Sequence, residues 1–317
     1  MSERVLVTGG AGFIGSHVCA RLCADGRDVV VLDDLCTGSR DNLAGLDVTF
    51  VEGSVAEPAH LARAMPGVSR IVHLAALPSV ARSVERPLET HRACATGTLC
   101  VLDAARAARA RVVYAGSSSA YGDQDEQHKH EGLREAPLSP YAAAKLAGEL
   151  YCRSFARVYG LQVVATRVFN VFGPRQPADS PYSGVVAASC RALLAEKPAR
   201  IDGDGGQARD FTYVEDVVDG VLRCLDADTP GCETVNLAYG RATTVNELYE
   251  RLRALLREQL PDRAVPEPRR APPRTGDVRH SLADVRRARE RFGFEPRIGF
   301  VEGLARTFAW YREGTRT

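Results

Sequence analysis

Lysine is almost missing from this 317-residue chain, which holds only Lys129, Lys145 and Lys197. Arginine supplies nearly all the other basic residues. Because 41 basic side chains face 40 acidic ones, the net charge is +1. So even a balance leaves no broad basic field for nucleic acid or an anionic membrane. Tryptophan occurs once and methionine twice. No run of ~18 apolar residues exists, so no transmembrane helix is expected. The chain passes directly into Arg4-Val5-Leu6-Val7 without a basic-then-apolar leader, and a cytoplasmic location is the expectation. Nine cysteines are present but none in a Cys-x-x-Cys spacing. Cys19 and Cys23 are four apart, a helical packing interval, so reduced thiols and no metal site are expected. There is no internal repeat, and the nearest thing to a linker is the Pro/Arg-rich run from Pro261 to Arg274.

What is present begins with an apolar strand over Arg4 to Thr8, then Gly9-Gly10-Ala11-Gly12-Phe13-Ile14-Gly15, then a helix to about Ala24. A second apolar strand from Asp28 ends at Asp33-Asp34. This is a βαβ unit with a glycine-rich first turn. The glycines let backbone approach a pyrophosphate, and the helix N-terminus offers it free N–H groups. An acid about twenty residues on can accept from ribose hydroxyls, and its charge disfavours a 2′-phosphate, so NAD is expected rather than NADP. Gly9, Gly12, Phe13, Ile14, Gly15, Asp33 and Asp34 are the cofactor candidates from this unit.

Apolar runs and helical stretches keep alternating. Strands are expected at Val48 to Glu52, Arg70 to Leu74, Arg111 to Ala115 and Gln162 to Arg167, with long helices at Leu88 to Ala108 and Pro140 to Tyr159. This pattern implies a doubly wound parallel sheet covered on both faces, with ligands beyond the carboxyl ends of its strands. Leu74-Ala75-Ala76 and Ser117-Ser118-Ser119 lie at such ends. The first offers small side chains along a cofactor's path.

Ser139-Pro140 reads as an N-cap followed by a first helical residue, which puts Tyr141 in the opening turn and Lys145 four residues on. The spacing places both side chains on one helix face. A nearby ammonium is expected to pull the tyrosine's pKa down from ~10 and make it a proton acceptor. Such a pair can take a proton from an alcohol while hydride leaves the same carbon.

After Arg167 the rhythm changes. The loop Asn170 to Gln176 precedes a helix over Tyr182 to Glu196 and a turn at Gly203-Asp204-Gly205-Gly206. Further helices are expected over Val214 to Ala227, from Thr243 or Thr244 to Leu255, and over Leu282 to Arg291. A strand at Thr234 to Leu237 could rejoin the main sheet. A smaller α/β domain interleaved with the large one fits: residues 1–172 and about 211–240 for the dinucleotide domain, 173–210 and 241–317 for the substrate domain. The arginines of this half suit a diphosphate.

Together these pieces resemble the extended short-chain dehydrogenase/reductase family, and within it the NAD-dependent UDP-sugar 4-epimerases. UDP-N-acetylglucosamine 4-epimerases are the branch most resembled. The resemblance implies Ser117, Tyr141 and Lys145 as catalytic residues, with Tyr141 and Lys145 also touching NAD. It implies Asn170, Gln176, Arg209, Arg274, Asp277 and Ser281 as UDP-sugar contacts, a transient 4-keto sugar, and a homodimer through the helices at 88–108 and 140–159. The small Ser281 and Gly184 point to room for a 2-acetamido group, whereas Pro78 departs from that branch. Ser54 and Cys94 also depart from the family pattern at cofactor positions. Ser118 and Ser119, where nucleotide-sugar dehydratases carry Asp-Glu, weigh against dehydration. Two other readings stay open: UDP-glucuronate epimerisation or other 4-keto chemistry, motivated by the arginines, and an NAD-binding protein without catalysis, motivated by Ser54 and Cys94.

Overall fold

The computed structural model describes residues 3–180, 182–273 and 278–314. Its first half runs β1 (Arg4–Thr8), α1 (Phe13–Ala24), β2 (Asp28–Asp33), β3 (Val48–Glu52), α2 (Pro58–Ala64), β4 (Arg70–His73), α3 (Val80–Glu85), α4 (Pro87–His91), α5 (Gly97–Ala108), β5 (Arg111–Ser117), α6 (Pro140–Tyr159) and β6 (Val163–Val168). The second half runs β7 (Val171–Phe172), α7 (Val185–Leu194), β8 (Arg200–Asp202), β9 (Ala208–Asp210), β10 (Thr212–Tyr213), α8 (Val214–Asp226), β11 (Cys232–Leu237), β12 (Ala242–Thr244), α9 (Val245–Gln259), β13 (Arg269–Ala271), β14 (His280–Ser281), α10 (Arg286–Phe292) and α11 (Phe300–Gly314).

Seven strands form one sheet in the order β11-β6-β5-β4-β1-β2-β3, every pair parallel. The apolar runs are continuous because both faces are buried. Val5 and Val7 pack into one cluster with α1 and α8, while Leu6 packs into the other with α2, α5 and α6. The strand order reverses between β1 and β4, which opens a crevice at their carboxyl ends. As the sequence suggests, β11 returns to the main sheet beside β6.

The remaining strands make small sheets: β7 with β10, β8 with β13, and β9 between β12 and β14. A third core, from α7, α9 and α11, gathers there around Phe172, whose ring centroid lies 5.6 Å from those of Tyr213 and Phe300.

Several boundaries differ from expectation. The helix expected over Leu88 to Ala108 is α4 and α5 joined by a π-helical turn at Arg92–Thr96. The helix expected from Tyr182 begins only after Gly184, because Ser180 and Ser183 bond within a turn ahead of it. The helix expected from Leu282 begins at Arg286. Residues 282–284 are instead paired with Lys129, whose N–H donates to Leu282 O and whose carbonyl accepts from Asp284 N. Nothing in the sequence reading anticipates α3 or α11. The helix carrying Tyr141 and Lys145 has the expected ends: Ser139 Oγ accepts from Ala142 N at 3.2 Å, and Gly160 closes it at φ +70°.

Candidate active site

The crevice between β1 and β4 is shaped by glycine. Gly9 adopts φ +71°, and a Cβ there would lie 2.7 Å from Ala75 N. A Cβ on Gly15 would lie 2.1 Å from Gly9 O, so α1 can start this close to β1 only with glycine. Gly12 is the N-cap of α1 and has no side chain to accept from the helix's first N–H groups. Those donors and the helix dipole suit a pyrophosphate. Phe13 and Ile14 form the opening turn and pack partly into the third core. Asp33, at the end of β2, accepts from Ala11 N at 2.9 Å and Leu35 N at 2.8 Å. Burial still raises its pKa, and each oxygen keeps a lone pair for a ribose hydroxyl. Asp34 is exposed and closes a turn by accepting from Cys36 N. Leu74 N donates to Thr8 O and Ala75 N to Thr8 Oγ1, so residues 74–76 line the other wall. The residues present fit a dinucleotide. The sequence reading missed the clasp on its loop, where Ser39 N and Asn42 Nδ2 both donate to Ala11 O. No spacing signal marks those two residues.

At the end of β5, Ser117 Oγ lies 2.8 Å from Ser119 Oγ and beside the Tyr141 hydroxyl, whose pKa it lowers as a hydrogen-bonding partner. Lys145 sits one turn further along α6 and is buried. Ser117 therefore lies beside Tyr141, with Lys145 one helical turn away, but their electrostatics correct the expectation. In the protein itself burial pushes the Tyr141 pKa well up, opposed only by the Ser117 hydrogen bond. Burial also pushes the Lys145 pKa down. The Lys145 ammonium is not among the groups that act on the phenol, and desolvation is the largest influence on each of the two side chains. The ammonium lies instead over the ring of Tyr114, 4.6 Å from the centroid.

Beneath the site runs a buried polar stack. Thr8 Oγ1 is 2.6 Å from His73 Nδ1, and His73 Nε2 is 3.0 Å from Thr98 Oγ1. Thr98 spends its one proton on Cys94 O, so His73 must donate from Nε2 and accept at Nδ1 from Thr8. Burial holds His73 neutral, its pKa down at about 3. Cys94 lies in the π-helical turn and packs against Tyr141.

The expected sugar-nucleotide residues are spread over the second half. Asn170 lies between β6 and β7, its carbonyl accepting from Thr212 N. Gln176 donates to Val171 O at 3.1 Å, while its Oε1 is buried without a partner. A Cβ on Gly184 would lie 3.0 Å from the Gln176 amide nitrogen, so the small residue there makes room for Gln176. Arg209 and Ser281 are both buried and are register partners of β9 and β14. Arg274 and Asp277 lie outside the described residues. Arg175, which is not among the expected site residues, holds φ +65° and a buried Nη1 without a partner. Among the described residues, no group of His, Cys, Asp and Glu is placed to hold a metal, and no helix is long and apolar enough to cross a membrane.

Comparison with known proteins places this geometry. The model of the NAD dependent epimerase/dehydratase family matches residues 5–238. The UDP-glucose 4-epimerase of Mycolicibacterium smegmatis is 39% identical over 98% of both chains. The structure of the UDP-glucose 4-epimerase of Thermotoga maritima, with UDP-glucose, is similar at a TM-score of 0.92 and 35% identity, covering 98% of this chain and 99% of that one. A UDP-N-acetylglucosamine 4-epimerase of Methanobrevibacter ruminantium, in complex with UDP-N-acetylmuramic acid, matches at 0.92 and 34% identity over 99% and 100% of the two chains. With a fully parallel sheet, a glycine-built crevice at its switch point and relatives matched end to end, the chain belongs to the NAD-dependent epimerase/dehydratase family, and its cofactor is NAD.

Proposed function

We propose that this protein epimerises UDP-hexoses at C4, acting on UDP-N-acetylglucosamine/galactosamine and also on UDP-glucose/galactose. The observation that carries the reading is Ser117 placed beside Tyr141, with Lys145 buried one turn further along the same helix. NAD supplies the reversible hydride acceptor and is held by Gly9, Gly12, Phe13, Ile14, Gly15, Asp33, Asp34, Leu74, Ala75, Ala76, Tyr141 and Lys145. Tyr141 accepts the proton of the sugar 4-hydroxyl, and Ser117 polarises that hydroxyl and steadies the phenolate. The uncharged 4-keto sugar turns over while its nucleotide stays anchored, so that its opposite face is presented for hydride return, and Tyr141 gives its proton back to the 4-oxygen. Asn170, Gln176, Arg209, Arg274 and Asp277 hold the uridine diphosphate. The buried, small Ser281 leaves space for the 2-acetamido group. Residues 1–172 with 211–240 form the dinucleotide domain, and 173–210 with 241–317 the sugar-nucleotide domain. Exposed Leu88, Leu150, Tyr151 and Val158 on α4 and α6 support a homodimer through those helices, which sedimentation velocity tests.

The enzyme is incubated with a panel of UDP-sugars and the products are identified by NMR. Conversion of both sugar pairs is expected, and Ser281→Tyr should cut kcat/KM for the N-acetylated pair at least tenfold more than for the glucose pair. Turnover of the unacetylated pair alone removes the acetylated assignment, and preference for UDP-glucuronate replaces it. Tyr141→Phe should lose ~10²–10⁴ in kcat while still binding NAD, since it removes the acid–base group alone. Unchanged turnover in that variant is incompatible with the mechanism.

A further inference from the structure

Tyr114 lies on β5, three residues before Ser117, and the mechanism above makes no use of it. Its side chain is fully buried beneath α6. Two separate parts of it touch Lys145. The hydroxyl donates to the Lys145 carbonyl oxygen at 2.8 Å, and the ring face lies 4.6 Å from the Lys145 ammonium. This approach is possible because α6 carries glycine at 148, where a Cβ would stand 2.4 Å from Tyr114 Oη and 2.8 Å from Cζ. From behind, the ring packs against His73, whose centroid is 5.7 Å away.

Lys145 otherwise has little to keep it charged. Among the described residues no carboxylate pairs with its ammonium. Cys94 on the π-helical turn, Cys152 on α6 and the neutral His73 on β4 are the titratable groups that act on it, with Tyr141 one turn away on its own helix. A buried ammonium has lost its water, and an electron-rich ring face is the main replacement offered here. A carboxylate would hold the charge more strongly, but it would also put a negative charge beside Tyr141. A neutral ring stabilises the cation without one.

We propose that Tyr114 is the positioning residue of this site, its ring face keeping Lys145 protonated and its hydroxyl fixing the Lys145 turn of α6 against β5. The enzymatic consequence rests on the epimerase reading above, whereas the effect on Lys145 itself does not.

With three lysines in the chain, ¹³C labelling at the lysine ε-carbons resolves the Lys145 titration directly, and Lys145→Arg assigns its signal. The series compares the native protein with Tyr114→Phe, with pentafluorophenylalanine placed at position 114, and with Tyr114→Leu. Phenylalanine keeps the ring face, so the Lys145 midpoint should stay within a few tenths of a pH unit. The fluorinated ring keeps the shape but reverses the charge of its face, so the midpoint should fall by roughly one pH unit or more. Tyr114→Leu should fall likewise, and if it does not fold the fluorinated ring carries the test alone. In activity, the fluorinated variant should lose the basic side of its pH profile, because that limb moves down with Lys145. Tyr114→Phe should lower kcat without moving either limb. A Lys145 midpoint indifferent to fluorination overturns the proposal, even in an enzyme that epimerises UDP-hexoses. A shifted midpoint supports it, even if UDP-hexoses prove not to be the substrate.

Discussion

At the scale of single residues, the site turns on which force sets the Tyr141 pKa. Burial raises it, and among the protein's own groups the Ser117 hydrogen bond is what holds it back. Proton removal needs the ionised phenol, so activity should rise with pH through the working pKa of Tyr141. Ser117→Ala deletes the lowering contact and leaves the raising one. The acid limb of kcat/KM should therefore move to higher pH, by about one to two units if the bond is of the charge-assisted kind. A pH–rate profile of the two enzymes checks this, and a uniform loss without a shifted limb would assign Ser117 to substrate binding instead. The Tyr-x-x-x-Lys spacing was legible because helical periodicity depends on sequence alone. The direction of the pKa was not, because burial belongs to the packed molecule.

At the scale of elements, the polar stack from Thr8 through His73 to Thr98 ties the carboxyl ends of β1 and β4 to α5, directly under the cofactor crevice. His73 is neutral in the folded protein, with its pKa near 3, against 6.5 when unfolded. Above pH 6.5 neither state binds the proton and the fold keeps its full stability. As pH falls from 6.5 toward 3, only the unfolded chain takes the proton up, so stability is lost at about 1.4 kcal/mol per pH unit. Urea unfolding at pH 7.5 and 5.0 should show the native protein losing about 2 kcal/mol more than His73→Gln, which cannot titrate. Equal slopes would mean that the unfolded histidine is also shielded. The strands bearing this stack were legible from their apolar runs. The π-helical turn at Arg92–Thr96 was not, and its Cys94 and Ala95 pack against Ala144 of α6, a contact between segments distant in the chain.

At the scale of the whole molecule, one buried ion cluster joins parts far apart in the chain. Arg167 on β6 is fully buried, with Nε and Nη2 donating to Glu149 of α6 at 2.9 and 2.8 Å. The same Nη2 reaches Glu135, in the segment between β5 and α6, at 2.7 Å. Thr234 of β11 donates to Glu149 as well. Glu149 lies four residues beyond Lys145, so the face that presents Tyr141 and Lys145 also anchors the helix. Glu149→Gln removes the more deeply buried of the two carboxylates that compensate Arg167 and should cost about 3 kcal/mol, read as a lowered urea midpoint. Glu149→Leu combined with Arg167→Met should recover most of that loss, because it leaves no buried charge unpaired. If the single variant is as stable as the native protein, the cluster has water access and is not the anchor inferred here.

The sequence by itself determined the doubly wound sheet, the glycine crevice with its acidic partner, and the face shared by Tyr141 and Lys145. Each of these is written in local periodicity, backbone permissiveness or spacing, which short segments carry alone. Only the tertiary structure decided that Tyr114 lies under Lys145, that the Tyr141 pKa is raised rather than lowered, and that Arg167 is matched by Glu149 and Glu135. Those outcomes depend on desolvation and on contacts between residues distant in the chain, which arise only when the elements have packed.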